Sequence, residues 1–349
     1  MLTGAIAAAF AKQASFCRLF DAPFTALVCE AAALAFDESS AMGRAVIAWP
    51  GEAFADALMM RVTGGFHALV RSGAVPVLTA LYPPAPLPDV RVLADALRAV
   101  LADPALDAAL LPWLAGPPQT NEVMRSAVLM PGMMVIAAMT GLPLRLFELG
   151  ASAGLNLNMD RFAYDLGGVA AGDAASAVRI TPVWTGPAPP DLSVQVLERR
   201  GVDINPLDVA DPATVTRLVA FVWPDQPGRI ARAEAAIAIA RSRPPPERGD
   251  AAAFAQAQVA VHPGSTAVVY HSIAHQYFPP ETKARLAAHM GRAGATATAQ
   301  APLAWLRYEM DDASVADLPT LRLTLWRGQG EESQLLARAH PHGSFVQWQ

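Results

Sequence analysis

The sequence has little charge, few aromatic side chains and almost no cysteine. Only 16% of its 349 residues are charged and 7% are aromatic, whereas 53% are hydrophobic. The 31 acidic residues outnumber the 26 lysines and arginines, which gives a formal net charge of −5. Proteins that grip nucleic acid concentrate basic side chains against the phosphates, and this chain has no basic block. We therefore expect no nucleic-acid partner, and the high apolar content argues against a chain disordered along its length.

The scarcity of cysteine and of long apolar runs excludes two further classes. Cys17 and Cys29 are the only cysteines, and two thiols twelve residues apart form neither a zinc site nor a CxxC redox pair. We expect buried thiols and no metal site. The longest apolar run, residues 127–139, contains Pro131 and is shorter than the roughly 20 residues that cross a bilayer. No positive segment precedes the first apolar residues, so we expect a cytoplasmic protein without a membrane partner.

The hydrophobic pattern changes near residue 140. Before it the spacing is helical, as with Leu93, Leu97 and Val100 on one face. After it come short apolar runs typical of buried strands, separated by alanine-rich helical stretches at 229–241 and 281–290. The predicted strands are 144–149, 218–223, 266–270, 304–308, 321–326 and 345–348. Strands that alternate with helices predict an α/β fold with a doubly wound, mostly parallel sheet in residues 141–349, preceded by a helical domain in residues 1–140.

Two finer predictions concern the edges of this sheet. Residues 321–326 and 345–348 are joined by a polar link with room for no helix beyond 333–338, so we expect them to form an antiparallel edge pair. The stretch 165–211 is rich in glycine, proline and alanine. We expect it to insert a β-hairpin, with 178–184 paired against 194–198.

The sharpest local motif is LRLFELGASAGLNL, residues 144–157. A predicted strand ends at Glu148, passes through Gly150 and Gly154, and leads into a helix predicted to start near Leu155. Glycines let a ligand approach the backbone, and the free N–H groups of a helix N-terminus favour negative charge. The motif is similar to the first motif of S-adenosylmethionine-dependent methyltransferases, with Ser152 in place of the usual middle glycine. The resemblance implies a Rossmann-like sheet and a loop that holds the methionine end of S-adenosylmethionine, with Glu148 near its amine.

The resemblance also implies an acid at the end of the next strand for the ribose, and a third acid, often in Gly-Asp-Ala, for the adenine. Asp225 follows the 218–223 run, and Asp250 with Ala251 comes 25 residues later, a spacing that accommodates a helix between two strand ends. Asp203, in GVDINP, is the alternative ribose acid. The sequence leaves both alternatives open.

Methyl transfer requires alignment of the acceptor, and a base when the acceptor carries a proton. The candidate bases are His271, at the end of a predicted strand, followed by Tyr277 and Glu309. The polar residues Asn121, Glu122 and Arg125 precede an apolar helix that leads into the glycine loop. We expect them to line the mouth of a pocket from the helical domain. A small-molecule acceptor is expected, because neither a basic groove nor a peptide-binding signature is visible.

The same loop supports a different hypothesis. Residues 150–154 also match the G-x-S-x-G nucleophile elbow of α/β-hydrolases, with Ser152 as the nucleophile. Asp250 or Asp311 with His340 or His342 would complete a triad in the required chain order. A third hypothesis is a ligand-binding protein without catalysis on a methyltransferase-like fold.

Five segments together resemble one bacterial family. They are QTNEVMRSA at 119–127, ELGASAGLN at 148–156, ERRGVDINPLDV at 198–209, VWPDQ at 222–226 and AHPHG at 339–343. They look like the family known only as domain of unknown function 2332. This resemblance names no reaction, so the acceptor and the oligomeric state stay open.

Overall fold

The computed structural model describes residues 2–310 and 318–349, and the chain divides into two compact units, Met1–Thr120 with Pro212–Ala231 and Asn121–Asp211 with Arg232–Gln349. The helices are α1 (Gly4–Leu19), α2 (Pro23–Ala35), α3 (Ala41–Ile47), α4 (Leu58–Arg71), α5 (Pro76–Thr79), α6 (Val90–Ala102), α7 (Pro104–Leu110), α8 (Ser126–Thr140), α9 (Pro212–Ala220), α10 (Pro227–Ala240), α11 (Ala251–Gln258) and α12 (Pro280–Ala295). The strands are β1 (Leu144–Leu149), β2 (Ala163–Leu166), β3 (Val169–Gly172), β4 (Arg179–Ile180), β5 (Val183–Thr185), β6 (Val196–Asp203), β7 (Glu247–Arg248), β8 (Thr266–Ser272), β9 (Leu303–Glu309), β10 (Thr320–Trp326), β11 (Glu331–Ala339) and β12 (Phe345–Trp348).

The first unit is helical, as predicted for the start of the chain. Helix α6 shows why these residues form helices: Leu93, Leu97 and Val100 lie on one buried face, and the Asp89 side chain caps the helix by accepting a hydrogen bond from the Arg91 N–H at 2.8 Å. Both cysteines are free and buried in α1 and α2, so the expectation of buried thiols is confirmed.

The predicted strand at 218–223 is wrong. Leu218, Val219 and Ala220 form the buried end of helix α9, which begins at Pro212. A run of six apolar residues does not by itself distinguish a strand from the buried end of a helix. Proline at the first helical position favours the helix, because its missing N–H would have no helical partner there.

The second unit is built on a large, mostly parallel sheet with an antiparallel edge. In the described part of the chain this sheet has nine strands, in the order β5-β12-β11-β10-β9-β8-β1-β6-β7. Strands β6, β1, β8 and β9 run parallel in its centre, and β10 and β11 run antiparallel. Strands β1, β8, β9, β10 and β12 contain predicted strands, which confirms those five.

The predicted edge pairing and the predicted hairpin are both wrong. Residues 331–339 form strand β11, which lies between β10 and β12, so the two predicted edge strands are not neighbours. Residues 196–203 form β6, which pairs in parallel with β1 rather than against 178–184. The antiparallel hairpin is β2–β3, whose two-residue turn is Gly167-Gly168, both with positive φ. Glycine suits this turn because a type I′ hairpin needs positive φ at both positions.

The division between the units also differs from the boundary expected at residue 140. Helix α8 belongs to the second unit because it packs on β9 and β10, and a Cβ on its Gly132 would lie 2.8 Å from the Leu306 side chain. The stretch Val123–Thr140 is long and apolar enough to cross a membrane, with a mean hydropathy of 1.5, but 67% of it is buried inside the protein. A core helix passes the same test, so this stretch is weak evidence for a membrane span.

Candidate functional site

The carboxyl ends of the central parallel strands meet at one edge of the second unit's sheet. Strand β1 is the first strand of this sheet along the chain; β6 and β7 lie on one side of it, and β8 and β9 lie on the other. The strand order therefore reverses between β1 and β8. In open α/β sheets such a reversal leaves a crevice at the carboxyl ends, where ligands bind.

The loop after β1 is held in a left-handed backbone conformation. Gly150, Ser152 and Gly154 have φ of 72°, 52° and 68°. A Cβ on Gly150 would lie 2.7 Å from the Cβ of Ala274, so glycine is required there both for its φ and for this close approach. Ser152 adopts a conformation that is uncommon for residues other than glycine, and strain of this kind is concentrated at functional sites.

Asp203 is the acid at the end of the strand beside β1. Its Oδ2 accepts a hydrogen bond from the Ser152 N–H at 2.7 Å, and its Oδ1 accepts one from the Asn205 N–H at 2.8 Å. The carboxylate is only 9% exposed. Of the two alternatives left open by the sequence, Asp203 therefore lies against the glycine loop.

Asp225 does not end a strand, and its carboxylate accepts hydrogen bonds from other residues of the first unit. It accepts hydrogen bonds from the backbone N–H groups of Phe24 at 2.8 Å and Thr25 at 3.3 Å, and from the Thr25 hydroxyl at 2.7 Å. Phe24 and Thr25 lie in the first turn of α2, where backbone N–H groups have no helical partner. Asp225 thus has the role of a helix cap, and its predicted position after a strand was wrong.

Asp250 and Ala251 follow strand β7, which extends the sheet beyond β6. The Gly249 N–H donates to the Asp203 carbonyl at 3.0 Å, which brings the start of α11 beside the end of β6. The Asp250 carboxylate caps α11 through the Ala253 N–H at 2.8 Å. It also accepts from the Thr282 hydroxyl at 2.6 Å and pairs with Arg285 at 3.4 Å. The order of acids along the sheet edge is therefore Glu148, Asp203 and Asp250.

Glu148, the penultimate residue of β1, is a buried carboxyl with an altered affinity for its proton. It is 2% exposed, and the Tyr270 hydroxyl donates to its Oε2 at 3.4 Å. The pKa of Glu148 is raised to about 8, because burial, with a smaller contribution from nearby Asp203, outweighs the lowering by the Tyr270 hydrogen bond and by Arg125. Glu148 is therefore largely neutral at pH 7, and a cation at this position would favour its ionised form.

The polar segment before α8 belongs to the sheet unit rather than to the helical unit from which it was expected to act. Arg125 donates from Nε to the Pro341 carbonyl at 3.1 Å and from Nη1 to the Ser272 carbonyl at 3.2 Å. Ser272 is the last residue of β8. The Arg125 guanidinium therefore connects this segment to the sheet edge at which the carboxyl ends of the parallel strands meet. Burial lowers the pKa of Arg125, although arginine stays charged at neutral pH.

Asn121 and Glu122 tie the same segment to the end of the glycine loop. The Asn121 Oδ1 accepts a hydrogen bond from the Leu155 N–H at 3.0 Å, and Asn121 itself has a positive φ of 40°. Asn156 donates from Nδ2 to the Glu122 carbonyl at 3.1 Å. The Glu122 carboxylate caps the following turn through the Met124 N–H at 3.0 Å. These two residues therefore position the loop.

His271 lies in a buried relay between Trp305 and Glu309. The Trp305 indole N–H donates to His271 Nε2 at 3.1 Å, and His271 Nδ1 lies 2.7 Å from Glu309 Oε1. An indole nitrogen can only donate, so Nε2 carries no proton and the proton is on Nδ1, which donates to Glu309. Both ring nitrogens therefore already form hydrogen bonds. This favours a structural role for His271 over a role as the base that takes an acceptor's proton.

Glu309 and Tyr277 differ in accessibility. Glu309 Oε1 also accepts hydrogen bonds from the N–H groups of Ala274 at 3.0 Å and His275 at 3.1 Å. Burial alone raises the pKa of Glu309, but these three hydrogen bonds and the proximity of His271 lower it below its ordinary value. Glu309 is therefore a weak base. Tyr277 is 77% exposed on a short turn, so its hydroxyl faces solvent.

The loop lacks the partners of a hydrolase nucleophile within the described residues. The Ser152 Oγ is buried, and among those residues no hydrogen-bond partner lies within its reach. A serine nucleophile is activated by a histidine in hydrogen-bonding distance. His340 instead accepts a hydrogen bond at Nδ1 from the His342 N–H at 3.2 Å, and Asp250 caps α11. The other predicted acid, Asp311, lies outside the described residues.

Two contacts at this edge were not found from the sequence. Tyr270 meets Glu148 because they occupy facing positions of β8 and β1, and Trp305 meets His271 from β9. The alternation of Trp305, Arg307 and Glu309 along one strand face was a usable signal, because every second strand residue points the same way. Across residues 2–310 and 318–349, no group of three or more histidine, cysteine, aspartate or glutamate side chains could hold a metal ion.

Comparison with known proteins identifies the family. A search of curated proteins and a search of solved structures each found no match. A family model described as uncharacterized proteins conserved in bacteria matches residues 7–348, nearly the whole chain. The match agrees with the five segments that resemble this family in the sequence. The chain therefore belongs to the bacterial family DUF2332.

Proposed function

We propose that this protein is an S-adenosylmethionine-dependent methyltransferase that acts on a small molecule. The observation that carries the proposal is the pair of buried acids, Glu148 and Asp203, at the ends of adjacent strands on either side of the left-handed loop 150–154. Glu148 lies on β1, which borders the reversal of strand order between β1 and β8, and such a reversal is the ligand position of doubly wound sheets. Further support comes from the resemblance to methyltransferases. The loop is similar to their first motif, the order of the strands is Rossmann-like, and a third acid follows along the chain.

The residues at this edge fit the cofactor's donor groups. Ser152 Oγ, Asn156 Oδ1 and Asn158 Oδ1 are buried oxygens for which no partner is present among the described residues. All three lie in the loop or in the short 3₁₀ segment Asn156–Arg161 that follows it. Buried polar atoms are nearly always hydrogen-bonded in native proteins, so unpartnered acceptors grouped in one segment favour a bound donor. The ammonium and ribose hydroxyls of S-adenosylmethionine are donors of this kind.

Each site residue then has one role in binding. Glu148 would hold the ammonium group, because a cation stabilises its ionised form. Asp203 would accept the ribose hydroxyls with the lone pairs left by its two backbone hydrogen bonds. Asp250 and Ala251, next along the edge, would contact the adenine, and the loop 150–154 would hold the methionine end. The bound cofactor supplies an activated methyl group.

The protein's contribution to transfer is alignment of the acceptor in a protected crevice. Asn121, Glu122 and Arg125 position the loop and the end of β8 through hydrogen bonds between side chains and backbone groups. His271 and Glu309 are engaged with one another, so they hold the β8–β9 edge in place. Of the three predicted bases, Tyr277 is the most exposed.

Calorimetric titration with S-adenosylmethionine and S-adenosylhomocysteine tests the proposal. We expect micromolar binding of both ligands by the purified protein. Folded protein that binds neither ligand would contradict the proposal and favour the ligand-binding hypothesis without methyl transfer. Labelling of Ser152 by a fluorophosphonate would instead favour the hydrolase hypothesis.

A further inference from the structure

Arg125 places a positive charge at the carboxyl edge of the sheet, and the hydrogen bonds of its guanidinium group can be counted. A guanidinium group carries five N–H donors. Two of them donate to the backbone carbonyls of Pro341 at 3.1 Å and Ser272 at 3.2 Å. In the part of the chain that the structure describes, the group forms no other hydrogen bond and no ion pair. Three donors and one full positive charge therefore remain for a ligand.

A partly buried charge without an acid bound to it is unusual in a folded protein. Removing a guanidinium group from water costs free energy, which a bound acid normally offsets. Burial accordingly lowers the pKa of Arg125, while Glu122 and Glu309 raise it without forming an ion pair with it. The two backbone hydrogen bonds fix the plane of the group. A fixed planar group presents its other donors in a defined direction, which is the arrangement that binds an oxyanion.

The strand end that Arg125 contacts is held in a strained backbone conformation. Ile273, the residue after Ser272, has a φ of 49°. A branched side chain rarely adopts positive φ, and such conformations are concentrated at binding and catalytic sites. The Ile273 N–H donates to the Tyr308 carbonyl at 2.8 Å, and the next two N–H groups donate to Glu309. The protein therefore maintains this turn despite its strain.

This turn lies beside the loop proposed to hold the cofactor. A Cβ on Gly150 in that loop would lie 2.7 Å from the Cβ of Ala274 in the turn. The two buried acids proposed for the cofactor lie at the ends of β1 and β6, whereas Arg125 contacts the end of β8, on the other side of β1. A ligand bound by Arg125 is therefore expected next to the cofactor and not in its place.

The charges around Arg125 favour a carboxylate over a phosphate. Hydrogen bonds from His271 and from two backbone N–H groups lower the pKa of Glu309, so this acid is ionised at neutral pH. The single guanidinium group balances one negative charge, and the ionised Glu309 nearby repels any further one. A phosphate monoester carries a charge of about −1.5 to −2 at pH 7 and would meet stronger repulsion.

We infer that Arg125 binds the carboxylate of a small molecule at the end of β8. Under the proposed methyl transfer, on which this second step rests, that molecule is the methyl acceptor, and its carboxylate anchors it beside the cofactor. Anchoring by a fixed guanidinium group aligns the accepting atom with the activated methyl group. The acceptor class is therefore small carboxylic acids.

The first test is titration of the wild-type protein, without cofactor, with acetate and benzoate and with their neutral amides, acetamide and benzamide. The δ1-methyl NMR signal of Ile273, identified by its loss in Ile273→Val, reports binding at the strand end. We expect at least one carboxylate to shift this signal with a dissociation constant below about 10 mM, and the matching amide to leave it unchanged. The charge of the carboxylate is the only difference that matters between the two probes of each pair.

Variants assign the binding to one side chain. Arg125→Gln should weaken carboxylate binding at least about tenfold, because the charge-assisted hydrogen bonds are lost. Arg292→Gln is the matched control, since it removes an exposed positive charge from α12, and it should bind like the wild type.

Four results would overturn the site. They are no shift with either carboxylate at up to about 10 mM, equal shifts with a carboxylate and its amide, tighter binding of inorganic phosphate than of both carboxylates, and wild-type affinity in a folded Arg125→Gln protein. The comparison of acid with amide uses the wild-type protein, so it decides the outcome even if Arg125→Gln fails to fold.

A second titration separates this inference from the proposed function. With S-adenosylhomocysteine bound, the carboxylate is expected to keep its affinity, because it lies on the acceptor side. Competition between the two ligands would show that Arg125 holds the cofactor's own carboxylate, and would overturn the assignment of the acceptor. Carboxylate binding by a protein that binds no S-adenosylhomocysteine would overturn the proposed function and the acceptor role together, and would support the carboxylate site.

Discussion

The Asp203 carboxylate, at the end of β6, accepts a hydrogen bond from the Ser152 backbone N–H at 2.7 Å. This bond joins an acid on one strand to the left-handed centre of the loop that leaves the neighbouring strand. The backbone conformation of Ser152, with φ of 52°, directs its N–H toward the carboxylate. Gly150 and Gly154, which flank it in the loop, also have positive φ, which glycine adopts without steric penalty. The loop and the acid are therefore one structural unit.

Asp225→Ala is expected to lower stability and to leave cofactor binding unchanged. Its carboxylate accepts three hydrogen bonds at the start of α2, and loss of a helix cap costs about 1–2 kcal/mol. Denaturant unfolding of the variant and the wild type measures the loss. Unchanged stability together with weaker binding of S-adenosylhomocysteine would contradict the assignment of Asp225 as a cap.

Glu148 is expected to make stability fall as pH rises. Burial raises its pKa to about 8 in the folded state from an ordinary value of 4.5. Between these values the folded protein holds a proton that the unfolded chain has released, so the free energy of unfolding decreases from pH 4.5 to pH 8. Glu148→Gln cannot ionise, so its stability relative to the wild type should increase over this range. A difference between the two proteins that does not vary with pH would contradict the raised pKa.

Ser152→Gly is expected to preserve the fold. Glycine adopts positive φ without the steric penalty of about 1–2 kcal/mol that a side chain incurs there. Its gain is partly offset by the greater freedom of glycine in the unfolded chain, so we expect a net change within about 1 kcal/mol. Ser152→Val, with a branched Cβ at the same φ, should destabilise the protein clearly more. Measured unfolding of the pair checks this, and equal stability of the Gly and Val variants would show that the loop is not strained as described.

Glu309→Ala is expected to destabilise the protein more than Glu309→Gln. The alanine variant leaves His271 Nδ1–H and the N–H groups of Ala274 and His275 without their acceptor, and each buried unsatisfied donor costs about 1–3 kcal/mol. Glutamine keeps an oxygen in the same place. Unfolding measurements on both variants, with NMR detection of a proton on His271 Nδ1 in the wild type, check the relay. A His271 tautomer protonated on Nε2 would contradict it.

The sequence predicted strands where a short run of apolar residues is bounded by a turn-forming residue such as glycine. β1 was located to the residue because LRLFEL is followed by glycine, and β8, β9 and β10 extend their predicted cores by a few residues. The run 218–223 failed because burial, not local preference, decides between a strand and a helix end of that length. Strand β11 was missed because only Leu336, Ala337 and Ala339 of its nine residues are buried hydrophobics, so its amphipathic pattern was weak.

The sequence predicted the candidate site only for those residues that lie in or next to the glycine motif. Glu148 and the loop 150–154 follow directly from the glycine pattern. The choice between Asp203 and Asp225 could not be made, because it depends on which segment pairs with β1, and strand pairing is a long-range property. The contact between Trp305 and His271 joins residues 34 apart in the chain and is set by the register of β8 with β9. No local spacing encodes that contact.

The measurement that tests the central claim most directly is the affinity of S-adenosylhomocysteine for Asp203→Asn compared with the wild type. Asp208→Asn is the matched control, because it removes the same charge from an exposed residue of the same segment. We expect Asp203→Asn to bind at least about tenfold more weakly, since charge-assisted hydrogen bonds to the ribose are lost, and Asp208→Asn to bind like the wild type. Wild-type affinity in a folded Asp203→Asn protein would contradict the claim that the cofactor lies at the ends of β1 and β6.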